Sequence, residues 1–386
     1  MSDPRVLLIS APGLLGPDLM QMADAGGVTA LQGMMDHGAL GFVRQEEGAD
    51  VTQQIWTIAT GFAPDVHGVP GPYGVMPGGT GIYPIGRANS RCMPFWEVSA
   101  RQGSRSCCIA WSGTRDSDET NLCVFTDDVG VAFGTERQSW PILPGTTNEP
   151  DMEAALVDLR VHPGEIMAQE IDFFVPSTTA PIIRRAMAQA LAAAATVQAV
   201  ALHVLGTRRF SVVAVHFDYL DRIRRLRARA PRLVPITAVA QAHRFFDLLM
   251  ANLRRALTEH TTLILATTPA RDRAENVVPG VLIMEGPNVR SDVLIGDVRL
   301  TDIAPAALQC IGAAVPEAWL PMPWESAWRA LTPVQSCAME LVTPLDDEGS
   351  AWEQVQRLGL KPRPPLAPFR RQIESLIAKA SWRSPD

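Results

Sequence analysis

The chain has 386 residues, 47% of them hydrophobic, and a formal net charge of -7 at pH 7. This mildly acidic balance argues against nucleic-acid binding, because proteins that bind nucleic acids present a basic surface. The length is enough for one large α/β unit or about two domains.

The sequence carries no clear signal for secretion or membrane insertion. The first apolar run is short, lacks a preceding basic segment and turns at once into a Pro-Gly corner, so no signal peptide is predicted. The most apolar long stretch, residues 186–206, contains glutamines and a histidine and is interpreted as a buried or half-buried helix. Six scattered cysteines without a CxxC pair favour reduced thiols. We therefore expect a cytoplasmic protein that contacts no membrane.

The first third of the chain alternates strand and helix patterns. Its unbroken apolar runs are typical of strands that are buried on both faces, and Gly or Pro residues close several segments. In chain order we predict a strand at 5–10, helices at 18–25 and 28–37, a strand at 40–43, a helix at 53–61, a Gly- and Pro-rich loop at 68–87, a helix at 94–102 and a strand at 106–111.

The alternation weakens in the middle of the chain, where several prolines interrupt it, and returns after about residue 181. The later patterns are again those of amphipathic helices and buried strands. They predict a helix at 186–204, a strand at 210–217, helices at 218–229 and 236–258, strands at 262–268 and 281–285, and a helix at 301–313.

Strands that alternate with helices predict an α/β fold with a mostly parallel central sheet and helices on both faces. The core is predicted to consist of residues 1–116 and 182–332. An inserted cap at 117–181 interrupts it. A C-terminal tail at 333–386 follows, with a terminal helix at 369–380.

Ligands of open α/β sheets lie beyond the carboxyl ends of the strands. Four corners of this chain follow strands or precede helices at that edge, namely 11–13, 51–54, 216–221 and 267–270. We expect the functional site to lie among them.

Six segments of the chain, taken in order, resemble blocks of the alkaline phosphatase superfamily. They are VTALQGMMDHGAL, WTIATGFAPDVHGV, PFWEVSARQGSRSCCIAWSGT, FSVVAVHFDYLDRI, VLIMEGPNV and LTDIAPAALQCIGAAVP. The branch that they resemble most is the type I phosphodiesterase/nucleotide pyrophosphatase group. The resemblance covers most of the chain outside 117–181. It implies an α/β fold and phosphoryl chemistry, in which two metal ions, usually zinc, flank a Thr or Ser nucleophile and are held by Asp and His.

The positions that match this family's metal ligands are mostly substituted. Pro12 stands where the resemblance implies the first Asp, and proline offers no side-chain ligand. Asp221 is retained, but Arg225 replaces the His that the pattern places four residues later. The fourth corner reads Ala-Thr-Thr-Pro, with Thr267 and Thr268 where the pattern has an Asp and a His. The resemblance therefore implies that the two-metal site is lost.

The nucleophile position falls on Val51, and Thr52 becomes the candidate catalytic residue only if the alignment shifts by one residue. A hydroxyl at Thr52 also suits a helix N-cap. The backbone amides at this helix start, with Gln53 and Gln54, are a candidate anion site.

Two interpretations of the third corner stay open. Asp221 and Arg225 are spaced as an ordinary ion pair on one helix face, or Arg225 holds an anion in place of metal charge. His216, Asp218 and Asp221 form the alternative metal site, for one divalent ion such as zinc. Otherwise no cofactor is expected.

Two functional hypotheses follow. The first is a non-hydrolytic protein of the superfamily, a binding or scaffold protein for a small anionic or nucleotide-like ligand. The second is an active phosphodiesterase, phosphatase or transferase with a site rebuilt around Thr52, Asp218, Asp221 and Arg225. An unrelated α/β enzyme lacks motif support, since no GxGxxG, P-loop or GxSxG is present. A homodimer is compatible with the size of the chain.

Overall fold

The computed structural model describes residues 4–338, apart from 45–48, 76–81, 115–116, 118, 133–139, 208, 273, 275, 321–322 and 330–334. The predicted terminal helix at 369–380 and most of the predicted tail at 333–386 lie outside the described residues.

Strands and helices alternate along the chain. The strands are β1 (Arg5–Ser10), β2 (Ala39–Val43), β3 (Tyr73–Val75), β4 (Ile82–Pro84), β5 (Ser106–Ile109), β6 (Leu122–Phe125), β7 (Val212–His216), β8 (Thr261–Ala266), β9 (Ala270–Arg271), β10 (Val277–Val278), β11 (Gly280–Glu285), β12 (Val293–Val298), β13 (Val315–Pro316) and β14 (Ser336–Cys337). The α-helices are α1 (Gly16–Asp24), α2 (Thr29–Asp36), α3 (Val51–Thr60), α4 (Pro64–His67), α5 (Phe95–Arg101), α6 (Pro150–Leu159), α7 (Ala168–Asp172), α8 (Pro181–Thr207), α9 (Tyr219–Arg229), α10 (Ile236–Ala256) and α11 (Ile303–Cys310).

Eight of these strands form the central sheet, in the order β12-β2-β11-β8-β1-β7-β5-β6. Strand β11 pairs antiparallel with both of its neighbours, β8 and β2. The remaining neighbouring pairs are parallel, so the other seven strands run in one direction. The predicted α/β fold with a mostly parallel central sheet is confirmed. The carboxyl ends of β1, β7, β8, β5 and β6 therefore lie at the same edge.

Helices cover both faces of the sheet. Along β1, Leu7 and Ile9 point into a core that includes α1, α2, α8, α9 and α10. Val6 and Leu8 point into a second core with α3, α5 and α11. Successive side chains of a strand alternate between faces, so a strand covered on both sides is apolar throughout. That is the pattern that predicts β1 from its sequence.

The predicted strands and helices between residues 5 and 313 are all present, with shifted ends. The largest shift is at α8, which begins at Pro181 instead of residue 186. The predicted helix at 301–313 is shorter, because a 3-10 turn at Leu300–Asp302 precedes α11.

Three features differ from the sequence-based expectations. The predicted loop at 68–87 contains β3 and β4, which pair as an antiparallel hairpin. Strand β12 was not predicted, because most of its residues are exposed or half-buried at the edge of the sheet and form no apolar run. Strand β6 lies within the predicted cap and forms the other edge, next to β5. The domain boundaries themselves stay predictions.

Helix α8 is long and apolar enough, by length and composition, to cross a membrane. In the fold its alanines and valines lie in the same core as α9 and α10, and residues such as Met187, Val200 and Ala201 are fully buried. This agrees with the interpretation of 186–206 as a buried helix.

The six cysteines are all unpaired, and five of them are buried.

The free backbone N–H groups in the first turn of α2 find their acceptor in a residue that is distant in the sequence. Its N-cap position, Val28, has no side-chain acceptor. Asp247 of α10 instead accepts hydrogen bonds from the backbone N–H of Leu31 at 2.8 Å and of Ala30 at 3.2 Å. Asp247 is 6% exposed. The free amides of a helix start need such acceptors when they are buried, so this carboxylate ties α2 to α10.

We expect Asp247→Ala to lower the free energy of unfolding by about 1–3 kcal/mol, because two buried amides lose their acceptor. Chemical denaturation monitored by circular dichroism measures the change. The control is Asp36→Ala, which removes only the exposed hydrogen bond from Gln32 and should change stability by less than about 0.5 kcal/mol. Equal effects of the two substitutions would contradict the proposed role of Asp247.

Candidate functional site

Two of the predicted corners pack directly against each other at the carboxyl edge of the sheet. Gly13, after β1, has φ +95 and lies against the backbone at the start of α9. A Cβ atom at Gly13 would lie 2.6 Å from the backbone N of Asp221 and 2.8 Å from the carbonyl carbon of Leu220. Only glycine fits such a close approach with a positive φ. The corner at 11–13 and the corner at 216–221 are thus brought together, as the sequence predicted.

The fourth corner joins the same group through Thr267. Its hydroxyl donates to the carbonyl oxygen of Leu14 at 2.7 Å and accepts from the backbone N–H of Val281 at 2.7 Å. Thr267 is fully buried and Thr268 is 1% exposed. The Thr267 hydroxyl therefore links β1, β8 and β11, and its hydrogen-bonding capacity is used within the fold.

The retained carboxylate, Asp221, is paired with Arg225. The Arg225 Nε lies 2.6 Å from Asp221 Oδ2, four residues apart on α9. The Asp221 side chain is 20% exposed, and burial raises the pKa of its carboxyl group despite the nearby Arg225 cation. The geometry is that of the ordinary ion pair on a helix face, the first of the two interpretations that the sequence left open.

An aspartate side chain, Asp50, caps the start of α3. Asp50 caps the helix, since its Oδ1 accepts from the backbone N–H of Gln53 at 2.9 Å, while Gln53 Oε1 accepts from the backbone N–H of Asp50 at 3.0 Å. Gln54 Nε2 donates to the carbonyl oxygen of Ala49 at 3.1 Å. Thr52 is half-buried. An aspartate at this helix start occupies an amide that a bound anion would use and repels such an anion.

Thr52 is not joined to the other predicted site residues. Within the described ranges, no hydrogen bond or ion pair links it to Asp218, Asp221, Arg225 or Thr267. The catalytic role of Thr52 and the ligand-binding roles of Gln53 and Gln54 stay predictions.

Arg224 is a residue of this region that the sequence analysis missed. Its Nε donates to the carbonyl oxygen of Gly13 at 2.5 Å, and its Nη2 pairs with Asp18 of α1. His243 of α10 is also buried against this corner, and burial, together with the Arg224 cation, lowers the pKa of its ring to about 4. Arg224 thus connects the β1 corner to α9. The sequence did not single it out from the other arginines of α9, because sequence alone does not tell which of them contacts the β1 corner.

A cavity of about 110 Å³ lies beside these corners, at the carboxyl ends of β5 and β7. Its apolar wall is formed mainly by α8, with Ala193, Ala194 and Val197. Its polar lining comes from the turns after β5, β6 and β7, namely Ser112, Asp127, His216, Asp218 and Arg222. Of the predicted site residues, His216 and Asp218 line this cavity.

His216 is held at the end of β7 by one ring nitrogen. His216 Nδ1 lies 3.2 Å from Ser10 Oγ on β1, and the ring packs 5.6 Å from Trp111, centroid to centroid. The residue is 6% exposed. Burial lowers the pKa of His216 to about 4, with Asp218 raising it and Arg222 lowering it by smaller amounts. The imidazole is therefore neutral near pH 7.

The predicted alternative metal ligands do not gather around one point. Asp218 binds Arg222, with Nη2 at 2.5 Å and Nε at 2.6 Å from Asp218 Oδ2, whereas Asp221 binds Arg225 and His216 binds Ser10. In the described part of the chain, no group of three or more His, Cys, Asp or Glu side chains is placed to hold a metal ion. The side chains present at the predicted corners therefore do not fit a two-zinc site, which needs several such ligands.

A larger groove lies elsewhere. It has a volume of about 700 Å³ and is open to solvent at the opposite edge of the sheet, near the first residue of β8. The Arg254–Glu285 ion pair forms part of its wall. None of the predicted site residues lines this groove. Ligands of α/β sheets usually bind at the carboxyl ends of the strands, which is the other edge.

Comparisons with known proteins give distant structural likeness and no match in sequence. No protein-family model matches the chain, and no curated protein matches it. Among solved structures, the chain is similar to a phosphonoacetate hydrolase from Sinorhizobium meliloti 1021 in complex with phosphonoformate, at 16% identity and a TM-score of 0.44. The match covers 71% of this chain and 62% of that chain, so this chain spans less than two thirds of that structure.

Gly13→Ala tests the contact between the β1 corner and α9. We expect it to lower the free energy of unfolding by about 2–5 kcal/mol, because the new Cβ meets the backbone of Asp221 in a conformation that alanine disfavours. Gly26→Ala is the matched control, since Gly26 also has a positive φ, +67, but no atom lies within 4 Å of its Cβ position. It should cost only about 1–2 kcal/mol. Urea denaturation curves compare the two variants, and equal losses would contradict the contact.

The buried histidines predict an acid-sensitive fold. The ring of His243 protonates near pH 6.5 in the unfolded chain and near pH 4 in the folded one. The unfolded state therefore binds more protons between these values, and the free energy of unfolding falls as the pH drops from 6.5 towards 4, by about 1.4 kcal/mol per pH unit for this residue. His243→Gln should reduce that slope. Denaturation at a series of pH values measures it, and an unchanged slope would contradict the assignment.

Proposed function

We propose that this chain is a non-hydrolytic member of the alkaline phosphatase superfamily, related to the type I phosphodiesterase/nucleotide pyrophosphatase branch, and that it acts as a binding or scaffold protein. Two features support the family: the six sequence blocks in family order, and a mostly parallel sheet with helices on both faces. The loss of hydrolysis is inferred from the site itself.

The single observation that carries the proposal is that the chain's own groups close the predicted metal corners. Pro12 presents no ligand atom, the Thr267 hydroxyl bonds two backbone groups, and Asp221 is neutralised by Arg225. A guanidinium stays protonated in proteins and is not a metal ligand. One carboxylate that is already paired does not balance the charge of two divalent ions.

Binding is the function that this arrangement leaves available. The cavity at β5 and β7 combines polar groups with an apolar wall, and its volume of about 110 Å³ admits only a small ligand. The expected small anionic or nucleotide-like ligand, the cytoplasmic location and a homodimer remain predictions beside this proposal.

The experiment combines metal analysis with a hydrolysis assay on the purified full-length chain. We expect elemental analysis to find zinc and manganese far below stoichiometric amounts after incubation with either metal. We also expect bis(p-nitrophenyl) phosphate and p-nitrophenyl phosphate to be hydrolysed no faster than in buffer. The reason is that nucleophile activation and charge stabilisation both need groups that these corners lack.

Two variants make the assay decisive. If turnover is detected, and Thr52→Ala and Asp221→Ala each reduce it by about 10²-fold or more, the site rebuilt around Thr52, Asp218, Asp221 and Arg225 is active and the proposal is wrong. Turnover that survives both substitutions comes from a contaminant or from another part of the chain. The exposed Asp36→Ala variant serves as the control for preparation effects.

A further inference from the structure

The turn between α9 and α10 lies in a strongly basic stretch of the chain. From Arg222 to Phe246 the sequence has seven arginines and no Asp or Glu, whereas the whole chain has a formal net charge of -7. A local excess of one sign of charge creates a surface potential that attracts partners of the opposite sign. The ion pairs at the sheet corners use only part of this excess.

The arginines nearest the sheet are neutralised, and those further along are not. Three arginines in the first half of α9 each pair with one acid. Among the described residues, no carboxylate pairs with Arg227, Arg229 or Arg232. Arg229 and Arg232 are exposed and Arg227 is half-buried. The C-terminal end of a helix supplies only about half a negative charge, so most of this positive charge is uncompensated within the fold.

The helices that pack against α9 do not supply the missing acids. Helices α8 and α10 both contact α9. Helix α8 contains no Asp or Glu, and the single acid of α10, Asp247, is buried against the first turn of α2. The positive charge at the end of α9 is therefore available to a group outside the chain.

Two aliphatic side chains are exposed beside these arginines. Leu233 is 40% exposed and Ile236 is 64% exposed. They follow Arg232 directly in the turn that leads into α10. We call the set of Arg227, Arg229, Arg232, Leu233 and Ile236 the basic corner. Arginine with apolar side chains is a combination enriched at protein interfaces, and a partner with carboxylates and an aliphatic side chain would complement both parts of it.

The size of the basic corner favours a short peptide over a larger polyanion. Charges in solution act over about 8 Å at physiological ionic strength, so a short peptide responds mainly to the local arginines. A nucleic acid is typically held through roughly six to ten phosphate contacts, more than three arginines provide. A membrane surface would also face the acidic remainder of the chain, which repels it.

We propose that the basic corner binds an acidic peptide segment of a partner protein, in which carboxylates pair with the arginines and an aliphatic side chain contacts Leu233 and Ile236. The inference rests on the proposed scaffold function and names the class of partner for it. The surface is separate from the sheet corners where the metal ligands are replaced.

Peptides that differ in one property test the proposal. The probe is a fluorescently labelled peptide, Gly-Glu-Glu-Leu-Glu-Glu-Leu-Gly, titrated with the full-length chain and followed by anisotropy. We expect a dissociation constant on the order of 100 μM. Replacing every Glu by Gln should weaken binding about tenfold or more, and replacing both Leu by Ser should weaken it about threefold.

The same titration has outcomes that contradict the proposal. Absence of binding, or equal binding of the Glu and Gln peptides, would overturn it. Tighter binding of phosphatidylserine vesicles or of single-stranded DNA than of the acidic peptide would also overturn it, since the partner would then be a membrane or a nucleic acid.

Substitutions locate the binding surface. The double variant Arg229→Gln with Arg232→Gln should bind the acidic peptide about tenfold more weakly, and Ile236→Ser about threefold more weakly. The matched control is Arg209→Gln with Arg255→Gln, since both of these arginines are exposed, precede β7 and β8 at the opposite edge of the sheet and remove the same net charge. Equal weakening by the two double variants would overturn the assignment, and circular dichroism checks that each variant is folded.

The outcomes separate this inference from the proposed function. Failure of the peptide titration without phosphodiester turnover removes the inference and leaves the non-hydrolytic proposal standing. Stoichiometric zinc with turnover removes the non-hydrolytic proposal, and the inference that rests on it, whatever the peptide titration shows.

Discussion

Guanidinium groups neutralise the carboxylates at the carboxyl edge of the sheet, and the character of the candidate site depends on this pairing. Arg222 binds Asp218, Arg224 binds Asp18 and Arg225 binds Asp221, so three arginines of α9 each pair with one acid. Exposed pairs of this kind contribute little to stability. Their consequence is chemical, because a carboxylate bound to an arginine is a poor ligand for a divalent ion.

The backbone packing at the same edge fixes where these pairs lie. Gly13 lets β1 turn directly against the start of α9, and Arg224 reaches back from α9 to the carbonyl oxygen of Gly13. Thr267 connects the turn after β8 to the β1 corner through its hydroxyl. With these contacts the corners after β1, β7 and β8 form one hydrogen-bonded unit. The cavity lies beside this unit, at β5 and β7, where α8 contributes small side chains.

The stability of the sheet comes from two apolar cores. The strands are buried on both faces by apolar side chains that do not depend on the residues at the corners. Hydrophobic burial is roughly proportional to area and is not directional, so it persists when polar residues at the strand ends are replaced. Function, in contrast, depends on a few side chains at those ends.

The sequence by itself determined the alternation of strands and helices, because apolar runs and helical periodicity are local properties. It also indicated that Pro12 and Arg225 are unsuitable as metal ligands, since that follows from their chemistry wherever they lie. It did not indicate β12 or β6 as strands of the sheet. Edge strands are half-exposed or lie among prolines, so their local pattern is weak.

Only the tertiary structure decided that Asp218 pairs with Arg222, that His216 lies beside Ser10, and that Arg224 reaches the carbonyl oxygen of Gly13. It also decided that Asp247 caps α2 and that Asp50 occupies the start of α3. Most of these facts depend on contacts between residues about two hundred positions apart in the chain. Such contacts are set by how the helices pack on the sheet, which no local sequence pattern encodes.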